Sequence, residues 1–166
     1  MMKTLSVIPI PNSIIVKDGI YKLQPDSLID YPDQAAAAGS LFIEVVPEID
    51  IPGHLVAALS AYPEFSCTGG PFEVSTEWGI SKDVLCVGKD SSIKFIKDIL
   101  GELIEIFPYK HLHIGGDESP SERWKSCPDC RSRMKEQGLK KADELQIWFT
   151  NEILSFLKGK GISTIV

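Results

Sequence analysis

The sequence predicts an α/β fold in which about three strand–helix units follow a short β-rich N-terminal segment. Short apolar runs separated by prolines make up the chain before residue 33. After residue 40, apolar and β-branched runs alternate with segments in which apolar residues recur every three or four positions. Strands and helices that alternate in this way are typical of a parallel sheet covered by helices.

The N-terminal segment is predicted to form short strands and turns, because prolines punctuate it and cannot continue a regular element. Asp18-Gly19 is a hairpin-type turn signal between the apolar runs at residues 14–16 and 20–21. A run of four alanines and a Gly-Ser pair follow this segment. The predicted parts of the chain are an N-terminal segment (1–32), an Ala-rich junction (33–40) and a third part (41–166).

The third part is predicted to begin with a buried strand at residues 41–46, an apolar and β-branched run broken only by Glu44. Residues 62–88 contain several prolines and glycines and are predicted to form a long loop, a feature that is usually functional. Asp90-Ser91 is predicted to cap a helix whose apolar spacing continues to Phe107.

Two more units are predicted further along the chain. A strand at residues 110–114 is followed by a short helix at 128–137, which Gly138 ends. An amphipathic helix at 142–157 then leads to a final strand at 162–166.

Composition and charge exclude several classes of partner. Hydrophobic residues make up 43% and charged residues 24% of the chain, and the net charge is -6 without a basic cluster. Nucleic acids and anionic membranes are therefore not expected partners, since both require a basic face. The N-terminal apolar run is short and is interrupted by Pro9 and Pro11, so no signal peptide is predicted. The localisation is left undecided.

Four cysteines leave their chemistry open. Cys127 and Cys130 have zinc-knuckle spacing, but a zinc site needs a second pair of ligands. Cys67 and Cys86 bracket a Gly-rich loop, a position that favours a staple of that loop. The sequence therefore favours structural thiols or a disulfide over zinc, and neither a metal nor a cofactor is expected.

The most informative segment is His-Leu-His-Ile-Gly-Gly-Asp-Glu at residues 111–118. Neighbouring side chains of a strand point to opposite faces, but the two glycines allow a sharp turn where the strand ends. Asp117 and Glu118 are therefore predicted to converge at the carboxyl end of the strand. A neutral acid beside an anion is the pair of groups that glycoside cleavage requires.

Two segments, Glu-Ile-Asp-Ile-Pro-Gly-His at 48–54 and His-Ile-Gly-Gly-Asp-Glu at 113–118, resemble family 20 glycoside hydrolases. These enzymes are β-N-acetylhexosaminidases that remove terminal GlcNAc or GalNAc from glycans and are often periplasmic, secreted or lysosomal. The resemblance extends from about residue 41 to the C-terminus. It implies part of a (β/α)₈ barrel, about three β/α units, because a closed barrel needs roughly 250 residues.

The resemblance also implies roles for individual residues. Glu118 corresponds to the general acid/base, and Asp117 to the residue that orients the substrate's 2-acetamido group. The acetamido oxygen itself attacks the anomeric carbon, which leads to retention without a metal or cofactor. The candidate substrate-binding or supporting residues are His54, His113, Asp50 and Glu48.

Some family features have no counterpart in this sequence. The substrate-binding arginine of the early barrel strands and the tryptophans and tyrosine of the later strands are absent. An alternative to hydrolysis of N-acetylhexosamine-terminated glycans is therefore a catalytically inactive fragment that acts as a structural or carbohydrate-binding module. Unpaired barrel edges would favour self-association.

Further alternatives concern histidines and tryptophans. His111 and His113 could ligate a metal on one strand face, although a polar bond for His113 is favoured. Trp124 and Trp78 could each contact a sugar or pack against the protein. Trp148 is expected in the core.

Overall fold

The computed structural model describes the backbone of four short strands before residue 31. It describes backbone and side chains over residues 46–74, 76, 78–107 and 110–166. The chain divides into two compact units, Met1–Glu44 and Val45–Val166.

The first unit contains two antiparallel strand pairs. Strand β1 (Thr4–Leu5) pairs with β4 (Ile29–Asp30), and β2 (Ile14–Val16) pairs with β3 (Gly19–Tyr21). Val16 lies opposite Gly19, so the hairpin predicted from Asp18-Gly19 is confirmed. The predicted junction and most of the strand predicted at residues 41–46 lie outside the described residues.

The second unit alternates helices and strands, in agreement with the predicted α/β class. Its elements are α1 (Val56–Ala61), a 3-10 turn (Pro63–Phe65), α2 (Asp90–Ile106), β5 (His111–His113), α3 (Glu122–Ser126), α4 (Pro128–Glu136), α5 (Glu144–Gly159) and β6 (Ser163–Ile165). The longer helices and both strands lie where the sequence predicts them, whereas α1 and α3 were not predicted. The predicted cap of α2 is wrong, because Asp90 is its first helical residue and no side chain caps the helix.

Three parallel segments form the centre of this unit. Strand β5 pairs in parallel with β6, with Leu112 opposite Thr164. On the other edge of β5, residues 47–51 run parallel to it and are joined by a bridge between Glu48 and His113. Because α2 precedes β5 and α5 precedes β6, two consecutive strand–helix–strand units result.

The core lies between these segments and the helices. Buried residues recur every three or four positions in α2 and α5, as expected for helices that bury one face. They are Ser92, Ile93, Ile96 and Leu100 in α2, and Leu145, Phe149, Ile153 and Leu157 in α5. Leu112 and Ile114 meet them from β5 and the residue after it. Trp148 is only partly buried. The Cζ atom of Arg133 lies over the Trp148 ring, 4.9 Å from the ring centroid.

Within the described part of the chain, every helix is too short or too polar to cross a membrane.

Candidate functional site

The two candidate motifs meet where residues 47–51 and β5 end. The Ile49 N–H donates to the His113 carbonyl and the Ile51 N–H to the Ile114 carbonyl, each over 3.0 Å. This pairing brings the carboxyl ends of two neighbouring parallel segments together, the edge at which barrel enzymes place their chemistry. The local pairing thus determines which side chains can share a site.

Gly115 makes the close approach of the two motifs possible. A Cβ atom at this position would lie 1.9 Å from the Asp50 Oδ1 atom and 2.8 Å from its Cα atom. Its φ of +62° also lies in the left-handed region that glycine adopts without cost. Only glycine therefore allows the turn after β5 to rest on Asp50.

Asp50 accepts a hydrogen bond from that turn. Its Oδ1 atom lies 3.2 Å from the Gly116 N–H, and its other oxygen, Oδ2, lies 4.0 Å from the Nε2 atom of His54. The carboxylate therefore connects the turn to the Pro-Gly-His segment beneath it. The supporting role that the resemblance implies for Asp50 stays a prediction.

His54 also lies beside Glu118. The Nε2 atom of His54 is 3.7 Å from the Glu118 Oε2 atom, which is an ion-pair distance and longer than a hydrogen bond. Glu118 has 54% of its side chain exposed, so a ligand can reach its carboxyl group.

The backbone conformation of both residues is unusual. His54 has a φ of +52° and Glu118 a φ of +46°, in a region that residues other than glycine seldom adopt. Such conformations are strained, persist only where the surrounding structure holds them in place, and cluster at functional sites. The two segments that carry them run close together, since even a Cβ atom added to Gly53 would lie only 3.6 Å from the Glu118 carbonyl oxygen.

Asp117 is exposed next to Glu118. Among the described residues, no hydrogen bond or ion pair joins its carboxylate to the group formed by Asp50, His54 and Glu118. The convergence of Asp117 and Glu118 on one substrate stays a prediction.

Glu48 and His113 form a second pair on the neighbouring segments. The Nδ1 atom of His113 lies 3.5 Å from the Glu48 Oε1 atom and accepts a hydrogen bond of 3.1 Å from the Gly115 N–H. His113 therefore supports the turn that carries Glu118.

The family model for "Glycosyl hydrolase family 20, catalytic domain" matches residues 27–166. The chain belongs to glycoside hydrolase family 20. A beta-hexosaminidase of Porphyromonas gingivalis is 45% identical over 124 residues, which are 75% of this chain and 16% of that protein. A beta-hexosaminidase of Akkermansia muciniphila is 38% identical over 149 residues, which are 89% of this chain and 29% of that protein.

A solved structure supports the same assignment. The beta-N-acetylhexosaminidase of Bacteroides fragilis is 42% identical and superposes with a TM-score of 0.66, covering 74% of this chain and 23% of that one. This family 20 chain thus spans less than a third of the length of each of these three proteins.

The structure adds one polar residue that the sequence did not indicate. Gln146, on α5, donates a hydrogen bond from its Nε2 atom to the Gly116 carbonyl. A single glutamine on an amphipathic helix gives no signal of this kind, because the contact depends on how α5 packs against the turn.

The two tryptophans that were candidates for a sugar contact lie in different environments. Trp124 is fully buried and donates a hydrogen bond of 2.9 Å from its Nε1 atom to the Leu85 carbonyl, so it belongs to the core. Trp78 has 99% of its surface exposed in the long loop. A sugar contact for Trp124 is therefore wrong.

The four cysteines converge away from the acidic motif. The sulfur atoms of Cys67, Cys86, Cys127 and Cys130 all lie within 4.8 Å of one another, and all four are free thiols. No other group of three or more possible metal ligands occurs among the described residues, so the alternative of a metal on His111 and His113 has no support there.

Proposed function

We propose that this chain carries the acid/base centre of a retaining exo-β-N-acetylhexosaminidase, which hydrolyses terminal non-reducing GlcNAc or GalNAc from glycans. The observation that supports this most is the Glu118 carboxylate, exposed at the end of β5 and 3.7 Å from His54. An exposed carboxyl group beside an imidazole can give up and take back a proton.

The proposed reaction has two steps. Glu118 donates its proton to the glycosidic oxygen while the substrate's acetamido oxygen attacks the anomeric carbon, and the aglycone leaves. Asp117 orients the acetamido group during this attack. Glu118 then accepts a proton from the water that opens the oxazolinium ring, so the configuration is retained.

The proposed fold is part of a (β/α)₈ barrel. Residues 47–51, β5 and β6 are neighbouring parallel segments with a helix between each pair, which is the repeating unit of such a barrel. We assign residues 41–166 to this barrel, residues 33–40 to a junction, and residues 1–32 to an accessory N-terminal segment.

Self-association is a further part of the proposal. Among the described residues β6 pairs only with β5, and 44% of Ile165 and 61% of Val166 are exposed along this segment. A sheet edge of this kind can pair with another chain. Light scattering over a range of concentrations is expected to show species larger than the monomer, and a monomer throughout would contradict this part.

The deciding experiment is the release of nitrophenol from nitrophenyl N-acetyl-β-glucosaminide and from the galactosaminide. Glu118→Gln is expected to lower kcat/KM by roughly 100-fold or more, because the amide cannot transfer the proton. Glu122→Gln makes the same chemical change at an exposed position on α3 and is expected to keep the activity.

A folded chain without activity would favour the alternative of a structural or carbohydrate-binding fragment. Equal activity of the Glu118→Gln variant and the unchanged chain would refute the assigned acid/base. The ratio of the two substrates gives the GlcNAc and GalNAc preference.

A further inference from the structure

We propose that Cys67, Cys86, Cys127 and Cys130 bind one Zn²⁺ ion in a tetrahedral thiolate site whose role is structural. These are all the cysteines of the chain. The proposal is independent of glycoside hydrolysis, because none of the four residues belongs to the acidic motif.

The distances between the sulfur atoms support a tetrahedral site. Cys86 lies 3.6 Å from Cys127 and 3.7 Å from Cys130, and Cys67 lies 3.8 Å from Cys130, each measured between Sγ atoms. Zinc–sulfur bonds of about 2.3 Å place the corners of a tetrahedron about 3.8 Å apart. A disulfide would require about 2.05 Å.

Separate parts of the fold bring the ligands together. Cys127 directly precedes α4 and Cys130 lies in its first turn, so one helix start supplies two sulfur atoms. The other two come from the long loop, where an antiparallel bridge joins Ser66 to Leu85, the residues immediately before Cys67 and Cys86. The second ligand pair that a zinc site needs is therefore formed by the fold.

Gly88 allows these two parts to touch. A Cβ atom at Gly88 would lie 2.3 Å from both the Asp129 carbonyl carbon and the Cys130 nitrogen. The contact is between backbone atoms, so no side-chain movement could relieve it. The loop after Cys86 is thus held directly against the segment that carries Cys130.

Burial makes a cation necessary if the thiols ionise. Cys86 and Cys130 are fully buried and Cys127 nearly so, while Cys67 is partly exposed. Uncompensated buried thiolates would be costly, whereas four thiolates and Zn²⁺ together carry a charge of about -2. Formation of the four Zn–S bonds releases four thiol protons to solvent and needs no oxidant.

Two cations complement this charge. The Lys89 ammonium donates to the Ser66 carbonyl over 2.9 Å, and the Arg133 guanidinium donates to the Gly88 carbonyl over 3.3 Å. Both carbonyls lie within two residues of a ligand cysteine. Lys89 follows the long loop that supplies Cys86, and Arg133 lies on α4, which supplies Cys130; its guanidinium is also paired with Asp90 and Glu136.

The ion would stabilise the loop that supports the candidate active site. The Leu85 N–H donates to the Pro52 carbonyl over 3.0 Å, and Pro52 lies two residues before His54. Trp124 joins the Leu85 carbonyl to α3, which follows the acidic motif. Zinc at the cysteines would thus fix the long loop, residues 62–88, to both candidate motifs.

The test is elemental analysis of the full chain purified without added metal or chelator. One zinc per chain is expected, and Cys67→Ser is expected to lose most of it. Ser132→Ala, an exposed position on the same helix as Cys130, is the matched control and is expected to keep the metal.

A second measurement avoids dependence on the folding of the variants. The unchanged chain is stripped with a chelator under reducing denaturing conditions and refolded with Co²⁺, whose tetrahedral thiolate complexes absorb strongly through sulfur-to-metal charge transfer. A band that saturates at one Co²⁺ per chain and disappears when Zn²⁺ is added supports the site.

Three results would overturn the proposal. They are a folded metal-free chain with four reactive thiols, a mass that shows two disulfides, and iron in place of zinc. Zinc in a chain without hydrolase activity would support the site and count only against the proposed function, so the two failures are distinguishable.

Discussion

The acidic group and the cysteine cluster lie in the same unit but are built in different ways. Glu118 and His54 are partly exposed, adopt left-handed backbone conformations and approach no closer than 3.7 Å. The cysteines are mostly buried, and a glycine backbone is pressed against them. The side chains of Glu118 and His54 are therefore accessible to a ligand, whereas the cysteine sulfur atoms are accessible only to an ion.

This difference predicts separate responses to perturbation. Changes at the cysteines should act mainly on stability, and changes at the acidic motif should act mainly on catalysis.

Removal of zinc by a chelator is expected to have the largest effect. Free Zn²⁺ at a thousand times its dissociation constant stabilises the folded state by about 4 kcal/mol, and chelation removes this contribution. Amide hydrogen exchange should rise first in residues 62–88 and in α4, which carry the ligands. Equal acceleration in β5 and β6 would show that the metal does not act locally.

Asp117→Asn is expected to lower kcat/KM roughly 100-fold on the nitrophenyl N-acetylglucosaminide, or about 2.7 kcal/mol of transition-state stabilisation. The amide cannot orient the acetamido group as the carboxylate does. The zinc content and the unfolding free energy should stay unchanged. Asp98→Asn, an exposed residue of α2 paired with Lys94, is the control, and an equal loss there would refute the assigned role.

Gly88→Ala is expected to destabilise the chain by about 2 kcal/mol, because the new Cβ atom collides with the backbone at Asp129 and Cys130. Urea unfolding gives the free energy, and elemental analysis should show a reduced zinc content. Gly101→Ala on α2 is the matched control, since no atom lies within 4 Å of its new Cβ. Alanine there should stabilise the helix by about 0.5 kcal/mol or more.

His54→Gln is expected to have the smallest effect, a loss of about tenfold in kcat, because an amide cannot replace the imidazole that lies 3.7 Å from the Glu118 carboxyl group. Steady-state kinetics should leave KM unchanged. Combined with Glu118→Gln, it should cause no further loss, since both act on one proton. If the two losses in kcat add, His54 and Glu118 do not act on the same proton, and the role assigned to His54 is refuted.

The sequence was sufficient to predict those features whose residues are close together along the chain. The motif at residues 113–118 is contiguous, and the core spacing of α2 and α5 can be counted directly. The short helices Val56–Ala61 and Glu122–Ser126 were missed, because five or six residues do not complete enough turns to show a period.

Contacts between distant residues could not be predicted. Trp124 is buried and is bonded to Leu85, 39 residues earlier. The bridge between Ser66 and Leu85 brings Cys67 and Cys86 together, and the start of α4 supplies Cys127 and Cys130. The spacing of Cys67 and Cys86 alone favoured a loop staple. The predicted family roles of Glu118, Asp117 and their neighbours depend on a resemblance, and their test is kinetic.

The contact of Gly88 with the Cys130 backbone has a consequence for how this chain can diverge. An insertion or deletion on either side of that contact would shift sulfur atoms on both loops at once. Replacement of one cysteine would leave three thiols, at least two of them buried, without the fourth ligand of the proposed ion. Descendants of this sequence should therefore keep Gly88 and the four cysteines as a set, or lose the whole set together.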